Sequence, residues 1–367
     1  MFKKTLCSLF MLGGAGMLFA LPPHLGKADY PASSINNFDF NLSWENLQLE
    51  STSGHEIVVD IYCNKKKFAP KVKLTSDTLV IESIPTGVQI LSMERKNCTV
   101  IVKVPDEKRF DKVKLHTSSG DIKSSVIFSA DEIYLEASSG NIKMEKQISS
   151  SKEALIKTSS GDSFVDYVQT GKLSVQASSG NIRIDAGSAK NLSLSASSGN
   201  ITCSNFSGGD SLIKTTSGNI KLKNFEATDF ESSASSGSIT AQDLSCQSFN
   251  VSTSSGTIGL ELTDSPVKNS SASSSSGTQY ISMPKGTGIN LRVTTSSGGF
   301  TNAFTKERIS SHADYNNAIN GGGAKVNFSS TSGSITLDVG SGVTSRGGAE
   351  IYSDDDTSVV NVDRPIF

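Results

Sequence analysis

A Ser/Thr-Ser-Gly triplet returns along the whole chain, closing at Gly54, Gly120, Gly140, Gly161, Gly180, Gly199, Gly218, Gly237, Gly256, Gly277, Gly298 and Gly333. From Gly161 to Gly256 five successive steps are 19 residues each by subtraction, and the neighbouring steps are 20 or 21. A fixed period of about 20 residues means that each repeat is one structural unit stacked on the next. With each Gly numbered zero, position −1 is Ser, −2 is Ser or Thr, and −3 is Ala, Ser or Thr. Positions −7 and −5 are mostly apolar, as in Val113 and Leu115 or Leu192 and Leu194. Position +2 is Ile122, Ile142, Ile182, Ile201, Ile220, Ile239, Ile258 and Ile335 in turn. Position +4 is often apolar, and Phe206, Phe225 and Leu244 recur at +7.

Alternation of period two means strands. One strand runs from −7 to −3, the chain turns at Ser-Ser-Gly, and a second runs from +1 to +5. The expected inward rows are −7, −5, −3, +2 and +4, with a further contact at +7. Gly at the corner is expected to supply backbone angles that a Cβ would forbid. The small residue at −3 fits where the interior narrows. Helices are excluded, because Gly interrupts every candidate and no long segment has a period of 3.6. The expected fold is all-β: a single-stranded parallel β-helix, a solenoid with about 19–21 residues per coil and an N-terminal β cap. At a strand spacing of about 4.8 Å the ladder from Gly120 to Gly333 would be roughly 50 Å long. Ser- and Gly-rich composition alone would fit disorder, but a disordered linker does not hold apolar residues in phase.

The ends depart from the repeat. Residues 29–104 read as a β cap containing a first coil, with one repeat-like piece at 47–54 and a polar loop at Asn64-Lys65-Lys66-Lys67. Residues 105–340 are the repeats, and 341–367 a C-terminal cap or tail. Ser163 and Gln279 stand at +2 where Ile is expected, which suggests a register shifted by one, to Phe164 and Tyr280. Residues 299–323 are extra to the period and fit either an unmarked coil or a protruding loop.

The first 28 residues read as an export signal. Lys3 and Lys4 precede an uncharged apolar run over 6–21, and Gly26-Lys27-Ala28 offers cleavage after Ala28. The run is short for a spanning helix, which needs about 20 residues; an uncleaved anchor is the alternative. Cleavage after Ala20 is disfavoured by the bulky Leu18. Export permits disulfides. Cys203 at +4 is expected to be a core residue, and Cys246 stands at a different corner two coils on, about 9.6 Å of stacking away. That exceeds disulfide reach, so Cys63 and Cys98, both in the cap, are the pair.

The Ser-Ser-Gly-Asn/Asp-Ile coil resembles the bacterial "putative adhesin" family, a domain of unknown function built of β-strand repeats. So do Val102-Lys103-Val104-Pro105 leading into Val113, and Asn320-Gly321-Gly322-Gly323-Ala324-Lys325-Val326 leading into Thr331-Ser332-Gly333. The likeness covers about residues 40–340. It implies the fold, and it brings no catalytic residues with it.

Chemistry is hard to find in the sequence. A nucleophilic Ser needs an oriented base, and His24, His55, His116 and His312 have no partner at suggestive spacing. The +1 row of Asp121, Asn141, Asp162, Asn181, Asn200 and Asn219 reads as turn chemistry rather than a metal site. The +3 row of Lys123, Lys143, Arg183 and Lys221 reads as a solvated face. Net charge is −2, which gives no pull towards nucleic acid. The expectation is an exported, non-enzymatic module, located in the periplasm, at the cell surface or outside. It would be adhesin-like or structural, with no cofactor or metal, and a cell-surface glycan or protein as partner. The alternative is a carbohydrate-active enzyme, a polysaccharide lyase or hydrolase on the same scaffold. The candidate contact segment for either is Arg308, His312, Asp314 and Tyr315 in 299–323.

Overall fold

The structure, a computed structural model, describes residues 21–84 and 96–340. These are all β apart from two single-turn 3₁₀ segments. In the regular region each repeat is one long strand, as in Ile182–Ala196, Ile201–Thr215, Ile220–Ala234 and Ile239–Thr253. Each pairs in parallel with the strand one period on. Equivalent residues lie side by side: Ile201 against Ile220, Phe206 against Phe225, Thr215 against Ala234.

The burial pattern shows how the chain bends. Along Ile220–Ala234 the buried residues are Ile220, Leu222, Phe225, Ala227, Phe230, Ser232 and Ala234. A straight strand would bury every second residue. Here the step lengthens to three after +4, again after +9, and a third time across Ser-Ser-Gly, so each repeat shifts its inward phase at three places. At the first shift Asn205, Asn224 and Asp243, all at +6, adopt left-handed backbone angles. Asn and Asp tolerate that region better than other side chains. The inward rows therefore include +9 (Ala189, Ala227, Cys246) and the glycine itself, besides those expected from sequence.

The corner glycines are needed for closeness, not for unusual angles. None of the stacked ones has a positive φ. A Cβ on any of them would lie between 1.5 and 2.1 Å from the carbonyl oxygen of the corner below. The small −3 residue also acquires a specific role. Thr215 Oγ1 donates to Gly199 O (3.1 Å) and accepts from Gly218 N (3.2 Å), and Thr253 repeats this with Gly237 and Gly256. Where −3 is Ala the methyl fills the same space, buried to within 7% at Ala177, Ala196 and Ala234.

The two +2 departures do not shift the register. Ser163 pairs with Ile142 and Ile182 and is buried, its hydroxyl 3.2 Å from Thr158 Oγ1. Gln279 pairs with Ile258 and Ile335 and is buried, its Nε2 donating to Ser274 Oγ and Ser329 O. Tyr280 stays 48% exposed. The Ser163 hydroxyl and the Gln279 Nε2 group stay in the interior because neighbouring groups hydrogen-bond them, whereas Gln279 Oε1 is buried without a partner.

Both ends stack out of chain order. At the start, the strands Asn37–Leu42 and Asn46–Thr52 lie beside Arg109–Thr117 and Ile122–Ser124, with Ser43-Trp44-Glu45 as their corner. Glu45, not Gly54, occupies the corner below Gly120. The sequence-based piece at 47–54 thus straddles the wrong turn. Outside this rung lie Thr78–Glu82 and Cys98–Pro105, then the antiparallel strands Lys71–Thr75, Glu56–Cys63 and His24–Pro31. Cys63 is disulfide-bonded to Cys98 between Glu56–Cys63 and Cys98–Pro105, while Cys203 and Cys246 are free and buried. At the far end Gly333 stacks on Gly277 and Gly298 stacks on Gly333. Residues 299–323 are neither coil nor free loop: Glu307–Ile309 and Asp314–Ile319 fold back antiparallel on the last parallel strands. Each end therefore finishes in antiparallel strands, which cover an edge that would otherwise invite further pairing.

Placing a methyl at a corner forces two backbones apart, so Gly218→Ala is expected to cost about 3 kcal/mol, the upper range of overpacking. Gly54→Ala, whose Cβ would meet only Thr52 Oγ1 at 3.5 Å, should change stability by less than about 0.5 kcal/mol. Denaturant unfolding of the two variants checks the contrast; equal losses would refute the proposed corner contact.

Candidate binding surfaces

Outward positions form rows that run along the stack. At +1 the side-chain oxygen of each residue accepts from the backbone N–H of the next repeat. Asp121 accepts from Asn141 (2.7 Å), Asn141 from Asp162 (2.9 Å), Asp162 from Asn181 (2.7 Å), and Asn181, Asn200 and Asn219 continue the series. This row is spent on the backbone, as expected of turn chemistry.

The +3 cations have neighbours of opposite sign. Lys123 and Lys143 share Glu145, at 3.2 and 2.9 Å, and Arg183 holds Asp185 at 2.7 Å. Phe164 stands between them, with Lys143 Nζ 5.8 Å and Arg183 Cζ 5.6 Å from its ring centre. Burial pushes the Glu145 carboxyl up, but hydrogen bonds and attraction from the two lysines outweigh it and hold it below the usual range. The row is a neutralised, screened face.

The first-repeat side carries a second charged network. Arg109 pairs with Asp131 at 2.5 Å and Lys112 with Glu132 at 3.1 Å. Tyr134 donates to Glu153, with Lys112 Nζ 4.6 Å from its ring centre. Hydrogen bonding to Glu153, then burial, raises the Tyr134 hydroxyl well above its ordinary value, so it stays protonated. Beside this network an open groove of 640 Å³ follows the corner after +7 across four repeats. Ser149, Gln169, Ser188 and Ser207 line it. In the next row Lys152, Gly171, Lys190 and Gly209 alternate. Gly171 and Gly209 sit directly under the carbonyls of Lys152 and Lys190, where a Cβ would approach to 2.8 and 2.3 Å. The missing side chains open the groove and leave a cation every second rung, about 9.6 Å apart at ordinary strand spacing. The only sequence trace of this is the two glycines outside the Ser-Ser-Gly series, which periodicity alone did not interpret.

The contact segment singled out in sequence divides between inside and outside. Tyr315 is buried, its hydroxyl accepting from Asn302 Nδ2 (3.2 Å) and its ring 5.1 Å from Phe300. Arg308, His312 and Asp314 are exposed on the antiparallel end strands and the turn between them. Among the described residues no three His, Cys, Asp or Glu side chains converge as a metal site. His116 Nδ1 lies 3.7 Å from Glu136, and His24 Nε2 lies 3.1 Å from Asp60. Burial pushes the Cys246 thiol up to about 12 and that of Cys203 higher still, so neither is a ready thiolate. No helix among the described residues is long and apolar enough to cross a membrane.

The Toastrack DUF4097 family profile matches residues 35–225 and 212–363. No curated protein matches the chain. Solved structures with a similar course include a "putative adhesin" from Parabacteroides merdae, 15% identical, covering 70% of this chain and 95% of that one, with a TM-score of 0.43. A "putative adhesin" from Parabacteroides distasonis is also 15% identical and covers 85% and 96%, TM-score 0.39. A "putative lipid binding protein" from the same species is 14% identical over 85% and 96%, TM-score 0.31.

Glu145 gives a pH test of the +3 row. Its folded pKa is depressed, so its stabilisation is present above the unfolded carboxylate range and is lost as pH falls through the lowered folded value. Stability measured between about pH 5 and pH 2 should fall less steeply in Glu145→Gln than in the wild type. Superimposable profiles would mean that the shared carboxylate contributes nothing.

Proposed function

This chain belongs to the Toastrack DUF4097 family, and from that premise we propose that it is an exported β-helix solenoid that binds rather than catalyses, an adhesin-like or structural module of the cell envelope. The parallel pairing at constant register and the three phase shifts per repeat support a winding coil. The observation that carries the binding reading is the long corner groove, lined by hydroxyl and amide groups at a constant spacing. Such a surface suits an extended, hydroxyl-rich chain such as a glycan, contacted weakly at many successive rungs. The absence of any oriented nucleophile and base among the described residues is consistent with this reading and does not carry it.

Export has its own support in the apolar run over 6–21. Cleavage after Ala28 would cut through the strand His24–Pro31, which pairs with Glu56–Cys63. It would also remove His24 from Asp60. We therefore place the boundary of the folded module before His24, with the apolar run either cut away upstream or kept.

Two measurements test this reading. Terminal sequencing of the protein recovered from the envelope fraction should find a first residue no later than Pro23; a start at Asp29 would refute a module that includes the first strand. On a panel of neutral and acidic glycans the full chain should be retained by at least one, and Ser188→Trp, which fills the groove, should weaken that retention about tenfold, equivalent to about 1.4 kcal/mol. Turnover of any glycan would overturn the non-catalytic reading.

A further inference from the structure

The corner groove is basic where it carries charge at all. Its charged lining residues are Arg109 and Lys190, and no carboxylate of the described residues lines it. Arg109, at one end, is held by Asp131. Lys190, further along, is exposed and has no acid within ion-pair distance among the described residues. Lysines elsewhere on the ladder are neutralised: Lys172 by Glu153 at 3.7 Å, Lys214 by Glu231 at 3.0 Å and Lys268 by Asp229 at 3.0 Å. Lys190 also stands clear within its own row. The equivalent residues one rung to either side are Gly171 and Gly209, so no side chain shields its ammonium along the stack.

We propose that the groove takes an extended acidic polysaccharide running along the stack, with a carboxylate or sulfate of one sugar at the Lys190 ammonium. This rests on the glycan-binding reading of the groove and narrows it to anionic chains. Three observations lead to it. The wall has uncommitted groups for sugar hydroxyls: the side chains of Ser149, Gln169 and Ser188 make no hydrogen bond among the described residues. The floor hydroxyls of Ser150 and Thr170, by contrast, are turned onto backbone carbonyls at 3.0 and 3.1 Å. Rungs repeat at about 4.8 Å, close to the advance of one pyranose in an extended chain, so successive sugars meet successive rungs. A cation without a counter-charge stands in this row, and the first carboxylate along it is Glu226, on the rung after Ser207. Glu226 accepts from Ser207 Oγ at 3.2 Å and closes that end of the groove.

Lys152, two rungs back from Lys190, is held by Glu132 at 3.6 Å and Asp131 at 3.8 Å, so the charge contact falls on Lys190. One exposed ion pair changes affinity only a few-fold. The row of hydroxyl and amide groups therefore holds the chain, and the lysine selects its sign. A neutral chain of the same shape fits the same row and lacks that contact alone.

Affinity electrophoresis of the full chain provides the measurement. The gels contain polygalacturonate, alginate or hyaluronate, each beside its methyl ester, which keeps the sugar chain and removes the charge. Dextran sulfate beside dextran makes the sulfate arm. At least one acidic polymer should retard the protein about threefold more strongly than its neutral counterpart, the size of one exposed ion pair, and high salt should remove the excess. Lys190→Gln should lower affinity for the acidic polymer about threefold and leave the neutral one unchanged, Lys190→Glu should lower the acidic one further, and Ser188→Trp should weaken both. Lysine-dependent retention on dextran sulfate alone assigns the anion as sulfate; on a uronate polymer it assigns a carboxylate. Lys190 is exposed and its place is taken by Thr228 and Gln247 in later repeats, so the variants keep their fold, which their far-ultraviolet spectra verify. Equal retention by charged and neutral forms, or acidic binding that ignores both Lys190 substitutions, overturns the acidic assignment while leaving the groove as a glycan site. Lysine-dependent binding that survives Ser188→Trp puts the anion outside the groove and overturns the assignment too. Failure of every polymer, acidic and neutral, to retard the chain overturns both the assignment and the glycan reading of the groove.

Discussion

Every repeat depends on a steric fact at its corner: the glycine of one rung lies directly on the carbonyl of the rung below, with no room for a Cβ. That contact sets the separation of successive chains at the Ser-Ser-Gly corner. The other rows inherit their register from it. Asn and Asp at +1 reach the next backbone N–H, Thr at −3 bridges two glycines, and Phe206 stacks on Phe225 at 5.9 Å. Corner, ladder and core thus reinforce one another, the consistency across levels that makes a repeat fold uniquely.

A stack of parallel strands has two open ends, and this chain closes both by the same device. A later segment, not the next in order, forms the rung beneath the outermost one at the C-terminal end, and the mirror arrangement holds at the N-terminal end. Antiparallel strands then cover the last edge. The far end finishes in short strands carrying Glu307, Arg308 and Asp314, and the near end in a lysine-bearing strand and turn. Charged edge residues oppose pairing with another chain. At the near end they also give a charged surface beside the point where the N-terminal segment leaves.

Function was far less legible in the sequence than fold. The corner row, the apolar rows, the burial of Cys203 and the lack of a bond between Cys203 and Cys246 could be read from period and phase, because each repeat states the rule again; the burial of Cys246 at +9 could not. The groove could not, since it arises from what Gly171 and Gly209 lack rather than from a recurring residue. The Arg308 to Tyr315 segment stood out only because it broke the period. Its irregularity reflects the antiparallel end strands, and Tyr315 turns inward to Phe300. An interruption in a repeat signals either a site or an end, and sequence spacing does not tell the two apart.

By itself the sequence determined a stack of β repeats of about 19 residues, the inward rows from −7 to +4, and a Ser-Ser-Gly corner. It did so because burial and stacking act on every rung alike and leave the same trace each time. Only the tertiary structure decided why the glycine is there, which residues hold the register at Ser163 and Gln279, that Glu45 takes the first corner, and that Gly333 lies between Gly277 and Gly298. Those are contacts between segments far apart in the chain. Each occurs once, so no period records it, and it is settled by which edge each strand finds open.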